Sequence, residues 1–283
     1  MDAWKDGRLY RADELMISAY DHGLLYGLGF FETFRTYNGK IFLWDAHWNR
    51  LCRALSDFRI AMPYEERDLI SAVEALTEAN NGKDGYFRLD ISAGIHDIGL
   101  QPSYYKKPTV ILYRKALQIA PRGTEKSAIW LETVRNTPES GIRHKSHHYA
   151  NNVQARFEVE SLVSCEGFFL TAEGFIAEGI TSNIFWSANG KLYTPSLETG
   201  ILAGTTRDWI LNCSSFEVEE GLFTKEELEM ADEVFITNAV QEIMPIRQLG
   251  EIQFWGNAGP VYKALHDAYT RCIQQEGIND EFI

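Results

Sequence analysis

No CxxC pair, no apolar run long enough to cross a bilayer and no surplus of basic residues occur in this 283-residue sequence. Each absence removes a class of protein. The four cysteines, Cys52, Cys165, Cys213 and Cys272, lie far apart, which fits reduced thiols better than a zinc site or a disulfide framework. No stretch approaches the ~18 apolar residues of a membrane span, and the first sixteen residues lack the basic-then-apolar pattern of a secretory leader. A formal net charge of −13 counts against nucleic acid and anionic membranes as partners. Familiar catalytic signatures are missing as well. There is no GxSxG, HExxH or P-loop, and Gly27-Leu28-Gly29 followed by Phe30-Phe31-Glu32 fails GxGxxG. The compartment expected is the cytoplasm.

What is present is material for two cores: 45% of the residues are hydrophobic and 13% aromatic. Phe30 to Tyr37 reads as a strand, and Asn38-Gly39 as a two-residue turn into Ile41-Phe42-Leu43. Asp45 is placed to cap a helix through Leu51, Leu55 and Phe58; a second helix is expected from Tyr64 to Ala79. Strands follow at Tyr86–Ser92 and Thr109–Tyr113. Pro121 and Gly123 make residues 116–125 the linker candidate, between domains at 1–115 and 126–283. Beyond it, strands are expected at Ser127–Val134, Gly167–Thr171, Asn183–Ser187 and Lys191–Thr194. Helices are expected near Thr206–Asn212, Lys225–Met230 and Val261–Gln275, with Thr224 and Glu227 as a capping box. The class is α+β.

Three segments could carry chemistry. Gly141–Val153 sets Arg143, His144, His147 and His148 around Lys145. A lysine among cations has its pKa pushed down, as a Schiff-base amine requires. The same residues also read as a solvated basic turn, or as a metal site from the three histidines that lacks a nearby carboxylate. Glu178 stands in an apolar, small-residue stretch, where a carboxylate needs a cation or donor; it also reads as an exposed loop acid. Gly200–Ile210 opens a helix with Thr205-Thr206, an arrangement suited to a phosphate at the helix N-terminus. Many helices begin this way for no such reason. Arg50, in HWNRL, could supply a phosphate with a charge-assisted partner.

In combination these segments resemble the fold-type IV pyridoxal-phosphate (PLP) enzymes, which include branched-chain aminotransferases, D-amino-acid aminotransferases and 4-amino-4-deoxychorismate lyases. The resemblance runs from DHGLLYGLGFFETFRTYNGK (Asp21–Lys40) through HWNRL, the lysine segment, EGITSNIF and ILAGTTR to TNAVQEIMPI (Thr237–Ile246). It implies Lys145 as the Schiff-base lysine and Glu178 at the pyridine nitrogen. It also implies Arg50, Thr205, Thr206 and the backbone of Ala239 at the phosphate. Relatives with threonine at that last position add a hydroxyl, which Ala239 cannot. The implied architecture is a smaller N-terminal α/β domain and a larger C-terminal domain with a β-barrel-like core, PLP between them, in a homodimer.

Within the family, D-amino-acid aminotransferases carry an Arg-x-His arrangement where this chain has Ala93 and Ile95. The lysine segment also departs from the branched-chain pattern. The runs KSHHYANN and YGLGFFETFR most resemble aminodeoxychorismate lyases, which release pyruvate and leave 4-aminobenzoate. An aminotransferase acting on branched-chain or D-amino acids is the alternative. Arg35 and Arg88 are candidates for holding substrate carboxylates, or else strand salt-bridge partners, and Phe31 and Tyr149 are expected to shape the pocket.

Overall fold

A computed structural model describes residues 2–100, 104–118, 120–213 and 215–275. Two compact units emerge: the first holds the chain up to Gln118 together with His144–His148, and the second holds the remainder of the described chain. The expected linker, 116–125, includes Ile119, which lies outside the described residues; its first residue, Ala116, ends a strand. Residues 144–148 thus pack with the first unit although they lie far down the chain.

The first unit is built on an antiparallel sheet. Its strands are β1 (Asp2–Lys5), β2 (Arg8–Arg11), β3 (Gly29–Tyr37), β4 (Lys40–Ile41), β5 (Gly85–Ser92) and β6 (Thr109–Ala116), in the order β2-β1-β6-β5-β3-β4. Helices α1 (His22–Tyr26), α2 (Trp44–Asp57) and α3 (Glu66–Glu78) complete it. Alternation sorts its two faces. Phe30 and Phe34 of β3, Phe87, Leu89 and Ile91 of β5, and Val110 and Leu112 of β6 share one core with Leu51, Leu55, Leu69, Val73 and Leu76 of the helices. By the period of two, Phe31, Arg88, Asp90, Ser92, Thr109 and Tyr113 fall on the opposite face. The β3–β4 turn forms at Asn38 and Gly39, both at positive φ (47° and 78°), as a type I′ hairpin turn needs. Asp45 does not cap α2: the helix starts at Trp44, with Leu43 at its N-cap in the left-handed region and no side-chain cap bond. Asp45 instead sits in the first turn, where its charge complements the helix dipole.

In the second unit the strands are β7 (Lys126–Trp130), β8 (Cys165–Leu170), β9 (Ile176–Gly179), β10 (Asn183–Ala188), β11 (Lys191–Pro195), β12 (Val218–Gly221), β13 (Glu233–Asn238), β14 (Glu242–Leu249) and β15 (Ile252–Gln253). They run in the order β12-β11-β10-β13-β14-β7-β8-β9, with β15 paired to β14. Strand β9, at one end, returns to pack on β10 and β11, so the sheet curls into a half-barrel. Helices α4 (Ala150–Arg156), α5 (Thr205–Cys213), α6 (Lys225–Glu229) and α7 (Pro260–Gln275) cover it. The capping box at Thr224 and Glu227 forms as expected. One core gathers Phe168, Ile184, Trp186, Val234, Ile236 and Ile246, and another gathers Leu131, Ala155, Phe169, Ala177 and Ile201. Burial on both sides explains why Ile184-Phe185-Trp186 of β10 and Val234-Phe235-Ile236 of β13 are apolar without alternation. Among the described residues no helix is long and apolar enough to cross a membrane.

One polar joint fastens α2 to β3 inside the first core. Glu32 Oε1 accepts from Arg50 Nε at 2.8 Å, and Oε2 accepts from Arg50 Nη2 at 2.6 Å and from His47 Nδ1 at 2.7 Å. Burial favours the neutral acid, but the Arg50 charge and these hydrogen bonds outweigh it and bring the Glu32 pKa down to about 2. Burial also pushes His47 below its ordinary value, with the Arg50 and Lys145 charges adding to it and Glu32 opposing. His47 therefore donates to Glu32 as a neutral ring. A Glu32 pKa lowered from 4.5 to about 2 corresponds to roughly 3 kcal/mol at neutral pH. That stability is present in full above the unfolded value and is lost as the pH falls from about 5 towards 2. Replacing the acid removes the carboxylate that the part-buried Arg50 guanidinium meets twice. Glu32→Gln is expected to cost about 3–5 kcal/mol at pH 7 in denaturant melts and to flatten the loss of stability between pH 5 and 2.

Candidate active site

In the first unit, Lys145 sits on a short annex to β3. Phe31 N–H donates to Lys145 O at 2.8 Å, His147 N–H donates to Gly29 O at 2.9 Å, and Phe30 bridges Ser146. The Lys145 amine lies 4.7 Å from the centroid of the Phe31 ring, and the Arg88 guanidinium lies 3.7 Å from the same centroid. A cavity of about 410 Å³ opens on this face of the sheet, lined by Arg88, Asp90, Ser92, Thr109, Tyr113 and His147 among others. Arg88 grips Asp90 of its own strand with Nε at 2.6 Å and Nη2 at 2.8 Å. Arg35 is buried, with its guanidinium over Tyr37 at 4.1 Å.

The basic run around Lys145 does not form one cationic field. His144 lies 3.1 Å from Asp57, His147 lies 2.7 Å from Asp90, and His148 faces the Tyr26 carbonyl at 3.4 Å. Each imidazole turns to a different element, which also separates the three rings as ligands for one metal. Arg143 belongs to the second unit, where it donates to Gly200 O and Asn136 O. Burial and then the neighbouring Arg135 push its pKa down to about 10, against the opposing pull of Glu178.

Glu178 is buried at the middle of the second unit's polar network. Its Oε1 accepts from Arg135 Nε at 2.8 Å and lies 3.7 Å from Arg143 Nε, while Oε2 accepts from Leu202 N–H at 3.0 Å. Arg135 was not foreseen, since a lone arginine in a polar loop carries no pattern. It also donates from Nη1 to Asn151 at 2.7 Å and Asn152 at 3.2 Å. The Leu202 bond ties the Glu178 strand to the segment that leads into α5. Asn183 Nδ2 donates to Leu202 O at 2.8 Å, and a Cβ on Gly204 would come within 2.1 Å of Asn183 Oδ1. Gly204 is thus required by close approach.

Helix α5 begins at Thr205, and its first i→i+4 bond runs from Asp208 N–H to Gly204 O at 2.9 Å. The N–H groups of Thr205 and Thr206 therefore have no acceptor within the helix. Beside them, α5 packs on β13. The Oγ1 atoms of Thr206 and Thr237 are buried and have no hydrogen-bond partner among the described residues. A buried hydroxyl left unmatched costs about 1–3 kcal/mol, so both await an acceptor. Glu178, with an oxygen lone pair left beyond the bonds above, can still take a donor. Hydroxyls and helical N–H groups for an anion, and a buried carboxylate for a cationic ring nitrogen, fit pyridoxal phosphate. Thr237 was not singled out in the sequence; its place at the end of a strand leading into TNAVQ was the available signal. Ala239 lies in the β13–β14 turn, which Asn238 Oδ1 builds by accepting from Val240 N–H at 3.0 Å and Gln241 N–H at 2.7 Å.

The chain is 40% identical over 274 residues to the aminodeoxychorismate lyase of Bacillus subtilis (strain 168), covering 95% of this chain and 94% of that protein. Among solved structures it is similar to a branched-chain aminotransferase from Thermoproteus uzoniensis with norvaline (TM-score 0.87, 28% identity, 98% and 95% of the two chains covered). It is also similar to the 4-amino-4-deoxychorismate lyase of Pseudomonas aeruginosa (TM-score 0.82, 26% identity, 95% and 98% covered). The family model of amino-transferase class IV matches residues 29–249, from the strand that carries Phe31 to the end of β14, and the chain belongs to that family.

Proposed function

We propose that this protein is a PLP-dependent 4-amino-4-deoxychorismate lyase that releases pyruvate and leaves 4-aminobenzoate, a step of folate synthesis. The likeness to the Bacillus subtilis lyase, at 40% identity over 95% of the chain, carries the choice of reaction. The unmatched hydroxyls of Thr206 and Thr237 support the cofactor's phosphate. Bound PLP supplies an electron sink for the pair left when a C–H bond beside the substrate amine breaks.

The chain's own residues take the remaining tasks. Lys145 carries the cofactor and, once freed by the substrate amine, takes the proton from the carbon bearing that amine. Glu178, held by Arg135 and Leu202 N–H, keeps a proton on the ring nitrogen. Thr205 and Thr206 give N–H groups and a hydroxyl to the phosphate, Arg50 gives charge, and Ala239 gives its N–H. Arg50 does so while oriented by Glu32, so its guanidinium needs no reordering when it binds. The pyruvate unit leaves with the electron pair of its C–O bond, and the ring it leaves becomes aromatic.

A homodimer is part of the proposal. Met16, Ile17, Tyr20, Leu24, Ile95 and Ile98 are at least half exposed, and the segments that bear them are joined by Asp21–Ile95 bridging and the His96 N–H bond to Tyr20 O. An apolar surface on this scale calls for a partner, and Ile17 and Leu24 also line the cavity. A second copy covering it would wall the cavity as well. The free thiols of Cys52, Cys165 and Cys272 fit a reducing cytoplasm; the Cys213 side chain lies outside the described residues.

Incubation with aminodeoxychorismate is expected to yield pyruvate and 4-aminobenzoate in equal amounts, measured by coupled assay and chromatography. Keto-acid formation from branched-chain or D-amino acids, with no pyruvate from aminodeoxychorismate, would establish an aminotransferase instead. Lys145→Ala is expected to lower turnover by roughly 10²–10⁴-fold and to abolish the mass increase that borohydride fixes at this residue. Thr206→Val should weaken PLP binding by about 1.5–3 kcal/mol, roughly tenfold to a hundredfold in Kd. Equilibrium dialysis of the apoprotein measures that shift without reference to turnover.

A further inference from the structure

Lys145 stands on a segment with almost no regular structure of its own, and the side chains beside it hold that segment in place. His147 is the most constrained of them. Its Nε2–H donates to Asp90 at 2.7 Å, and Asp90 is itself gripped twice by Arg88. Although burial favours the neutral acid, the bonds from His147 and Arg88 hold the Asp90 pKa below the usual carboxylate range. The imidazole stacks on Phe31, with centroids 6.3 Å apart and planes inclined by 30°, and Phe31 is the ring under the Lys145 amine. The Nδ1–Cε1 edge of the imidazole lies against Gly29. A Cβ there would come within 2.4 Å of His147 Nδ1 and 2.5 Å of Cε1. His148 is seated in the same manner on Gly27, where a Cβ would meet its Cδ2 at 2.9 Å.

These contacts do more than fill space. Asp90 is on β5, Gly29 and Phe31 are on β3, and the backbone of Lys145 and His147 is bonded to β3 on either side of Ser146. The ring therefore fixes the annex from a second strand. Two backbone bonds hold the annex near β3 but leave its side chains free to swing; a ring clamped on three sides removes that freedom. A solvated cation would behave differently, since it would be exposed and would leave the space over Gly29 empty.

We propose that His147 is a positioning residue for Lys145: Asp90 and the bare Cα of Gly29 lock its ring, and the locked ring fixes the direction from which the lysine amine reaches the reacting atoms. The proposal rests on Lys145 as the cofactor lysine and is independent of which amine is the substrate. A displacement of about 1 Å at a reacting group can cost roughly 10²-fold in rate.

The test uses the holoenzyme with two readouts, steady-state kinetics and the rate at which borohydride fixes PLP to Lys145. In His147→Ala, kcat is expected to fall roughly 10²-fold with KM within about twofold, and fixation is expected to slow. His147→Gln, whose amide nitrogen can donate to Asp90 in place of Nε2, is expected to recover part of both. Gly29→Ala is expected to reproduce the His147→Ala defect, and the double variant to be no worse than either single change. Circular dichroism and thermal melts confirm folding of each variant; if Gly29→Ala does not fold, the Ala and Gln variants at 147 decide the matter. Unchanged kcat and fixation in folded His147→Ala, no recovery in His147→Gln, or additive losses in the double variant would each overturn the proposal. Fixation requires no amine substrate. Wild-type enzyme that fixes PLP at Lys145 yet releases no pyruvate would refute the lyase reading alone.

Discussion

A carboxylate taken out of water must be met by a cation or by several donors, and each unit of this protein buries such groups, Glu32 in the first and Glu178 in the second among them. In the first unit Glu32 is buried between β3 and α2, and the cost of placing it there is offset by Arg50 and His47. In the second unit Glu178 is met by Arg135, Arg143 and the Leu202 N–H. The consequence is geometric. Glu32 sets the direction of Arg50, and Glu178 ties its strand to the segment that starts α5. A carboxylate or guanidinium that also carries part of its unit's packing has little freedom to move, so the residues proposed to recognise charge are ordered before any ligand arrives.

The architecture was largely legible because it rests on local signals. Alternation in Tyr86–Ser92, helical spacing in Leu69, Val73 and Leu76, the Asn-Gly turn at 38–39 and the Thr224–Glu227 box all describe neighbours in the chain. Elements without such signals were missed. Strand β9 is only four residues long, and the β13–β14 pair, Glu233–Asn238 with Glu242–Leu249, only partly overlaps Thr237–Ile246, a stretch read as a motif. The Asp45 cap was misplaced because Leu43 takes up a left-handed conformation that a leucine rarely adopts, which moves the helix start back to Trp44.

The proposed site residues divide in the same way. Lys145, Glu178, Arg50 and the Thr205-Thr206 pair stand in segments whose order is readable along the chain. Arg135 and Thr237 matter only through what lies beside them in space, Glu178 for one and α5 for the other. The histidines around Lys145 show how composition misleads. Adjacent in sequence, they suggest a shared cationic field; the annexed strand turns them towards Asp57, Asp90 and Tyr26 in succession. His144 and His147 each meet a carboxylate, Asp57 at 3.1 Å and Asp90 at 2.7 Å.

The same geometry assigns a role to Gly27-Leu28-Gly29, which fails as a nucleotide-binding fingerprint. Gly27 has a φ of 67° and ends α1 as its C-cap, a conformation glycine adopts without strain. Gly29 has no such conformational need, being an ordinary strand residue of β3. Its requirement comes from His147, some 118 positions later, whose ring occupies the volume a side chain would take. A residue larger than glycine at 29 would require the His147 imidazole to shift from its place, and would also crowd Ile91 O at 3.0 Å. The two positions are therefore coupled through shared volume, and a substitution at either one must be judged with its partner.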